Sequence, residues 1–199
     1  MIKSPRVCTN ALEMTEPNIP YLNQLLSKYK FILAMGTHAS GKTTLMSRYK
    51  GKPNGTLSYW RREPILKMLE FHGQPDPRFF NSIKKFEDDI IPELIDKTFN
   101  TVVVESWATV RSTRNHFLKF ADNLKTCCLV FDGPTDLIVQ RAIKDNKLGY
   151  GDREMQVFIE DQQYKTIWPT FEEGWNDIYY VNTFGKAGQD YLASICRIV

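Results

Sequence analysis

Phe31-Ile32-Leu33-Ala34-Met35-Gly36-Thr37-His38-Ala39-Ser40-Gly41-Lys42-Thr43-Thr44 is the stretch that decides the fold. Five apolar residues run directly into the pattern G-x-x-x-x-G-K-[ST], the P-loop pattern. A short apolar run of this kind reads as a strand buried on both faces. The glycines then turn the chain into a helix. Backbone N–H groups and the positive end of the helix converge on one point, which suits a polyphosphate. Gly36 and Gly41 permit the tight turns and the close approach of backbone to phosphate. Lys42 can bridge the β- and γ-phosphates, and the Thr43 hydroxyl can ligate Mg²⁺. Gly36, Thr37, His38, Ala39, Ser40, Gly41, Lys42, Thr43 and Thr44 are therefore the expected nucleotide-binding loop. An ordinary glycine-rich turn would leave Lys42-Thr43 unexplained.

Working outward, strands are expected at 56–59, 101–105, 126–131 and 177–182, besides 31–35. Helices are expected at 21–30, 42–49, from about 62, at 78–98 with a kink near Pro92, and at 110–124, 135–146 and 153–168. A short helix closes the chain. Strands alternating with helices imply βαβ units. The expected fold is α/β: a five-stranded parallel sheet flanked by helices, with right-handed crossovers. Residues 1–29 read as a polar, proline-dotted arm with a short helix, and 30–199 as the nucleotide-binding domain.

The chain has 199 residues, of which 42% are hydrophobic. That suffices for one full core. The net charge of +3 is too small to prove nucleic-acid binding. No apolar run approaches the roughly 20 residues that span a bilayer, so no membrane partner is expected. Met1-Ile2-Lys3-Ser4-Pro5-Arg6 lacks the apolar core of a signal peptide. The cytoplasm is the expected location. Four cysteines, Cys8, Cys127, Cys128 and Cys196, show neither disulfide-framework nor zinc spacing. Cys127 and Cys128 adjoin in one strand, so they should face opposite ways as small buried hydrophobes.

Several charged residues carry candidate chemistry. Val102-Val103-Val104-Glu105 is an apolar strand ending in a carboxylate, the Walker-B arrangement. Ligands in open α/β sheets lie beyond the carboxyl ends of the strands. Glu105 is thus a candidate for Mg²⁺ or water positioning, or for activating the attacking hydroxyl. Glu63, in Tyr59-Trp60-Arg61-Arg62-Glu63, is a rival general base. Arg61 and Arg62 can clamp a phosphate, and Trp60 can stack on a base. Arg141, Lys144 and Lys147 are spaced to share a helix face. They can neutralise charge on the transferred phosphoryl group. With Gly149 and Gly151 they make residues 141–153 a candidate lid.

The ordered set of motifs resembles the P-loop kinases of the polynucleotide kinase type found in phages. The matching pieces are Gly36 to Thr44, Val103-Val104-Glu105-Ser106, Arg114-Asn115-His116-Phe117, Val130-Phe131-Asp132-Gly133-Pro134, Val139-Gln140-Arg141 and Pro169-Thr170-Phe171-Glu172-Glu173-Gly174-Trp175. They span roughly residues 30–182. The resemblance implies a five-stranded parallel sheet with a lid, and Mg²⁺-ATP-dependent phosphorylation of a hydroxyl. That hydroxyl is typically a 5′-hydroxyl of DNA or RNA, with DNA favoured. The location implied for a phage-encoded chain is the host cytoplasm. Related phage kinases phosphorylate a hydroxymethyl group on a modified base within DNA, a second candidate acceptor. This chain departs from the family at three places: Glu63 where an aspartate is usual, Glu105-Ser106 for Asp-Thr, and Asp145 for a lid arginine. A nucleoside, nucleotide or small-metabolite kinase is the competing reading. A nucleotide-dependent binding switch is a third, opposed by the stock of candidate bases and cations.

Overall fold

A computed structural model of the chain describes residues 6–13, 27–47, 57–61, 70–71, 74–75, 77–97, 101–146 and 148–198. The apolar run ahead of the glycine-rich loop forms β3 (Phe31–Gly36), buried along its whole length. Before it lie β1 (Arg6–Cys8) and β2 (Asn10–Glu13). After it come α1 (Lys42–Ser47), β4 (Leu57–Arg61) and the short antiparallel pair β5 (Glu70–Phe71) and β6 (Gln74–Pro75). Next are α2 (Pro77–Lys97), β7 (Thr101–Ser106), α3 (Arg111–Leu118) and β8 (Thr126–Phe131). The chain continues through α4 (Thr135–Asp145), α5 (Asp152–Lys165), β9 (Asp177–Asn182), α6 (Gly185–Ile195) and β10 (Cys196–Ile198).

The main sheet is fully parallel, in the order β2-β9-β8-β3-β7-β4. Central β3 pairs with β7 on one side and β8 on the other, so the chain reverses its direction of travel across the sheet beside β3. Such a switch point is where open α/β sheets hold ligands. Register aligns the carboxyl ends: Ala34 stands opposite Glu105, Gly36 opposite Phe131, and Arg61 opposite Glu105.

Alternation along β3 divides the core. Phe31, Leu33 and Met35 join the face covered by α2, α3 and α6, through Ile91, Phe117 and Leu192. Ile32 and Ala34 join the face that α1 covers with Leu45 and Met46. Cys128 lies in the first cluster and Cys127 in the second, as the strand alternation requires. Burial pushes both thiols well above the ordinary value. A third cluster, Ile138, Ala142, Met155 and Ile159, joins α4 to α5 and packs on Ala39 of the glycine-rich loop.

The α/β fold with a parallel sheet flanked by helices matches the sequence reading, with one strand more. The sixth strand, β2, comes from the arm and pairs with β9, while β1 pairs with β10. Asn10-Ala11-Leu12-Glu13 has no apolar run to announce a strand. It becomes one because β9 would otherwise end the sheet with open backbone groups. The helix expected at 110–124 stops at Leu118 and tightens into a 3₁₀ turn at Lys119–Ala121. Residues 27–30 are turn and not helix; the rest of that expected helix, and the one expected from 62, lie outside the described residues. α2 runs on through Pro92.

Two buried charges hold the irregular segments. Arg114 is fully buried on α3 and forks onto Glu173, with Nε donating at 2.7 Å and Nη2 at 2.6 Å. Its Nη1 donates to the carbonyls of Ala108 and Ile167 at 2.9 and 2.7 Å. Asp132, buried just past β8, accepts from Arg6, from the Tyr191 hydroxyl at 2.9 Å and from Gln163 Nε2 at 3.2 Å. Arg6 also stacks on Trp168, 3.7 Å from the ring centroid. The arm is thereby tied to the carboxyl edge of the sheet.

Arg114→Met should cost about 3–5 kcal/mol, because it strands Glu173 as a buried unpaired carboxylate. Urea unfolding checks this. Arg114→Met/Glu173→Leu should recover part of the loss, which a purely steric defect would not.

Candidate functional site

The glycine-rich loop leaves β3 under a hard steric constraint. Gly36 has φ +148°, and a Cβ there would stand 2.2 Å from the Phe131 carbonyl oxygen. Gly41 has φ +95°, and a Cβ there would come within 2.8 Å of Thr183 Oγ1. Only glycine is compatible with both the dihedrals and the space. The loop is therefore wedged between the ends of β8 and β9.

Lys42, the first residue of α1, is buried and folds back over the loop. Its Nζ donates to the carbonyls of Gly36 at 2.8 Å and Thr37 at 2.7 Å, and to Ser40 Oγ at 3.3 Å. The cation thus sits inside the concavity. Ser40 and Thr37 are buried too, and Thr37 Oγ1 has no hydrogen-bond partner among the described residues. The amide of His38 donates to Gln162 Oε1 of α5 at 3.0 Å. Thr44 is exposed on α1.

Thr43 and Glu105, distant in sequence, meet at the loop. The Thr43 hydroxyl donates to Glu105 Oε1 at 2.5 Å, and Arg61 Nε stands 3.8 Å from the same oxygen. Arg61 ends β4 beside Glu105, so sheet register brings the pair together. A hydroxyl and a carboxylate facing each other are hard oxygen donors, the type Mg²⁺ takes from proteins in ones and twos alongside phosphate oxygens. Among the described residues no cluster of three or more His, Cys, Asp or Glu side chains forms an all-protein metal cage. The donor set fits Mg²⁺ shared with a nucleotide.

Arg141 takes a different place from the one expected of a free lid cation. It donates to the Ala39 carbonyl at 3.3 Å, to Thr183 Oγ1 at 3.0 Å and to the Thr183 carbonyl at 2.9 Å. Its guanidinium stacks on Phe184, 3.8 Å from the ring centroid. Burial pulls its pKa below the ordinary value, offset in part by Asp145. Arg141 braces the loop against the end of β9. Lys144 is exposed in the last turn of α4. Glu63, Arg62 and Lys147 lie outside the described residues, and Trp60 is a β4 residue paired with Val104.

The sequence reading missed Thr183, Phe184, Gln162, Trp107 and Phe158, all of which border the loop. Thr183 and Phe184 directly follow β9, and Trp107 follows Glu105 by two, so position at a strand's carboxyl end was the available signal. Gln162 and Phe158 carry no signal of their own on a helix that reads only as amphipathic. Among the described residues no helix is long and apolar enough to cross a membrane.

No family model and no curated protein sequence matches the chain. Solved structures do. A chain of the Pnkp1/Rnl/Hen1 RNA repair complex is 20% identical with a TM-score of 0.54, over 69% of this chain and 45% of that one. This chain therefore spans less than half the length of that relative. A gluconokinase from Sinorhizobium meliloti is 16% identical with a TM-score of 0.51, covering 84% of this chain and 87% of that one. A sugar kinase from Janibacter is 14% identical with a TM-score of 0.53, covering 83% and 91%. The likeness is one of fold: the parallel α/β fold of these P-loop kinases.

Gly36→Ala should destabilise the protein by at least about 2 kcal/mol, since the obstacle is backbone and cannot turn aside. Gly41→Ala should cost less, because it meets a side chain. Thermal or urea unfolding of the two variants checks the order.

Proposed function

We propose that this chain is an ATP-dependent phosphotransferase that moves the γ-phosphoryl group of ATP to a hydroxyl of a nucleic acid. The observation that carries the kinase reading is the Thr43–Glu105 contact at the mouth of a glycine-rich loop, at the switch point of a parallel sheet. The nucleic-acid acceptor is supported by the ordered motif series and by the fold shared with a chain of an RNA repair complex. It is either a 5′-hydroxyl, of DNA before RNA, or a hydroxymethyl on a base. The structural neighbours give the base hydroxymethyl no added support.

Amides of residues 36–44 and the Lys42 ammonium hold the triphosphate. On nucleotide binding, Lys42 exchanges the carbonyls of Gly36 and Thr37 for phosphate oxygens. Thr43 and Glu105 would hold Mg²⁺, which supplies charge neutralisation between the β- and γ-phosphates. Arg61 keeps the Glu105 carboxylate oriented. The acceptor oxygen attacks the γ-phosphorus as the bond to the β–γ bridging oxygen breaks, leaving ADP. A carboxylate takes the hydroxyl proton. Glu63 is proposed for that role because Glu105 is already engaged by Thr43 and Arg61. Arg141 acts through the loop it braces.

A small-metabolite kinase is the second reading, favoured by sugar kinases whose fold covers more of this chain than the RNA repair chain does. Transfer from γ-labelled ATP separates the readings. The acceptors are 5′-hydroxyl oligonucleotides, hydroxymethyluracil DNA with blocked ends, free nucleosides and gluconate. Label on either nucleic acid supports the proposal. Label on small molecules alone rejects its acceptor, and ATP binding without transfer to any of them points to a switch.

Lys42→Ala should lower the transfer rate about 100-fold or more, as removal of a strong electrostatic stabiliser does. Glu105→Gln should raise the Mg²⁺ concentration needed for half-maximal rate, whereas Glu63→Gln should lower kcat at an unchanged Mg²⁺ requirement. Steady-state kinetics across a Mg²⁺ series reads both.

A further inference from the structure

Beside the loop, on the Glu105 side, lies an aromatic surface that the transfer chemistry does not use. Phe158 of α5 is its centre. Trp107 meets Phe158 edge-on with centroids 6.1 Å apart, Tyr150 meets it at 5.6 Å, and His38 of the loop meets it at 6.3 Å. Trp107 is 49% exposed and Tyr150 40% exposed. Two large rings are thus left half in water around one partly buried ring.

The exposure of Trp107 is not slack in a surface loop. The Gly36 amide donates to the Trp107 carbonyl at 3.3 Å. The buried Arg114 donates to the next carbonyl, that of Ala108, at 2.9 Å. The Ile167 amide donates to the Thr109 carbonyl at 2.8 Å. Ala108 itself has φ +44°, a left-handed conformation that non-glycine residues adopt at a cost. A buried ion pair and a strained residue thus fix the backbone that carries the half-exposed indole, two residues past Glu105. At strand rise, that is roughly 7 Å from the carboxylate-bearing residue.

We propose that Trp107, Phe158 and Tyr150 form a stacking shelf for an unpaired base of a single-stranded nucleic acid whose reacting hydroxyl lies at the mouth of the glycine-rich loop. This rests on the kinase reading above. Aromatic rings accept any base face, so such a shelf holds a base without reading its sequence. A base inside a duplex has both faces covered, so the occupant must be single-stranded or an unstacked end. A sugar acceptor brings no π-face to such a shelf; a free nucleoside does, and the γ-labelled ATP comparison above separates it from a strand.

The test is fluorescence anisotropy without ATP. The ligands are a short single-stranded oligonucleotide with a 3′ dye, an abasic oligomer of equal length and charge, and a blunt duplex. Trp107→Ala should raise Kd for the base-bearing strand about tenfold or more, the scale of one lost stacked base. Trp107→Phe should keep most of the affinity and shows that folding is intact. Tyr150→Ala should weaken binding less. The abasic oligomer and the duplex should bind weakly and ignore the substitutions. Unchanged affinity in Trp107→Ala, or an equal loss on the abasic oligomer, would overturn the shelf. If the wild type labels the strand from γ-labelled ATP while Trp107→Ala binds it normally, the shelf fails and the kinase reading stands. If binding depends on Trp107 but no acceptor is labelled, the kinase reading fails and the shelf stands.

Discussion

The carbonyl of Phe131 occupies the place where a Cβ of residue 36 would sit. That close approach follows from β3 and β8 being paired in parallel to their last residues, Gly36 opposite Phe131. A side chain at 36 would push the loop away from β8. The loop would then lose its seat beside Thr183 and its brace from Arg141. Lys42 and Thr43 take their positions from that seat, and the register of β7 sets Glu105 against them. A sheet buried on both faces and a glycine that admits a neighbouring backbone are thus two sides of one packing constraint.

Irregular backbone beyond the strand ends is held by buried charge. Arg114 satisfies two loop carbonyls and one carboxylate at once, so a guanidinium replaces the regular hydrogen bonds that a loop cannot make. Asp132 does the converse and collects three donors from the arm, α5 and α6. Asp132 lies at the carboxyl edge and Arg114 binds the loop that leaves that edge after β7, where side-chain chemistry must be held still without regular structure. Removing one partner is costly because the other is left charged and dry.

Division of labour among the cations follows from burial. Lys42 rests on the loop's own carbonyls, which it can give up to stronger acceptors. Arg141 is bound to main chain on both sides and stacked on Phe184, so it stiffens the loop. Arg61 stands next to Glu105 across the β4–β7 pair, 3.8 Å from its carboxylate oxygen. The hairpin of α4 and α5 closes over the loop through its own apolar cluster and through Gln162.

The central strands, the glycine-rich loop and the carboxylate near the end of β7 were legible in the residues alone. Each is a local pattern: an unbroken apolar run, glycines at a fixed spacing, a charge where the run ends. Composition and period are enough for these because both faces of a parallel strand are buried. The pairing of the arm with β9 was not legible, since Asn10-Ala11-Leu12-Glu13 is a strand only by virtue of the edge it covers. Nor was the role of Arg114, which stands in the motif series without a partner until Glu173, 59 residues on, folds against it. Arg141 reads from sequence as a lid cation; only the packed structure turns it onto Ala39 and Thr183. Trp107 likewise reads as one aromatic among many. Its backbone is fixed by clamps from Gly36 and, through the neighbouring Ala108 carbonyl, from Arg114. Local order is written in short-range periodicity, whereas the partners of a polar or aromatic side chain are chosen by whichever distant segment the sheet brings beside it.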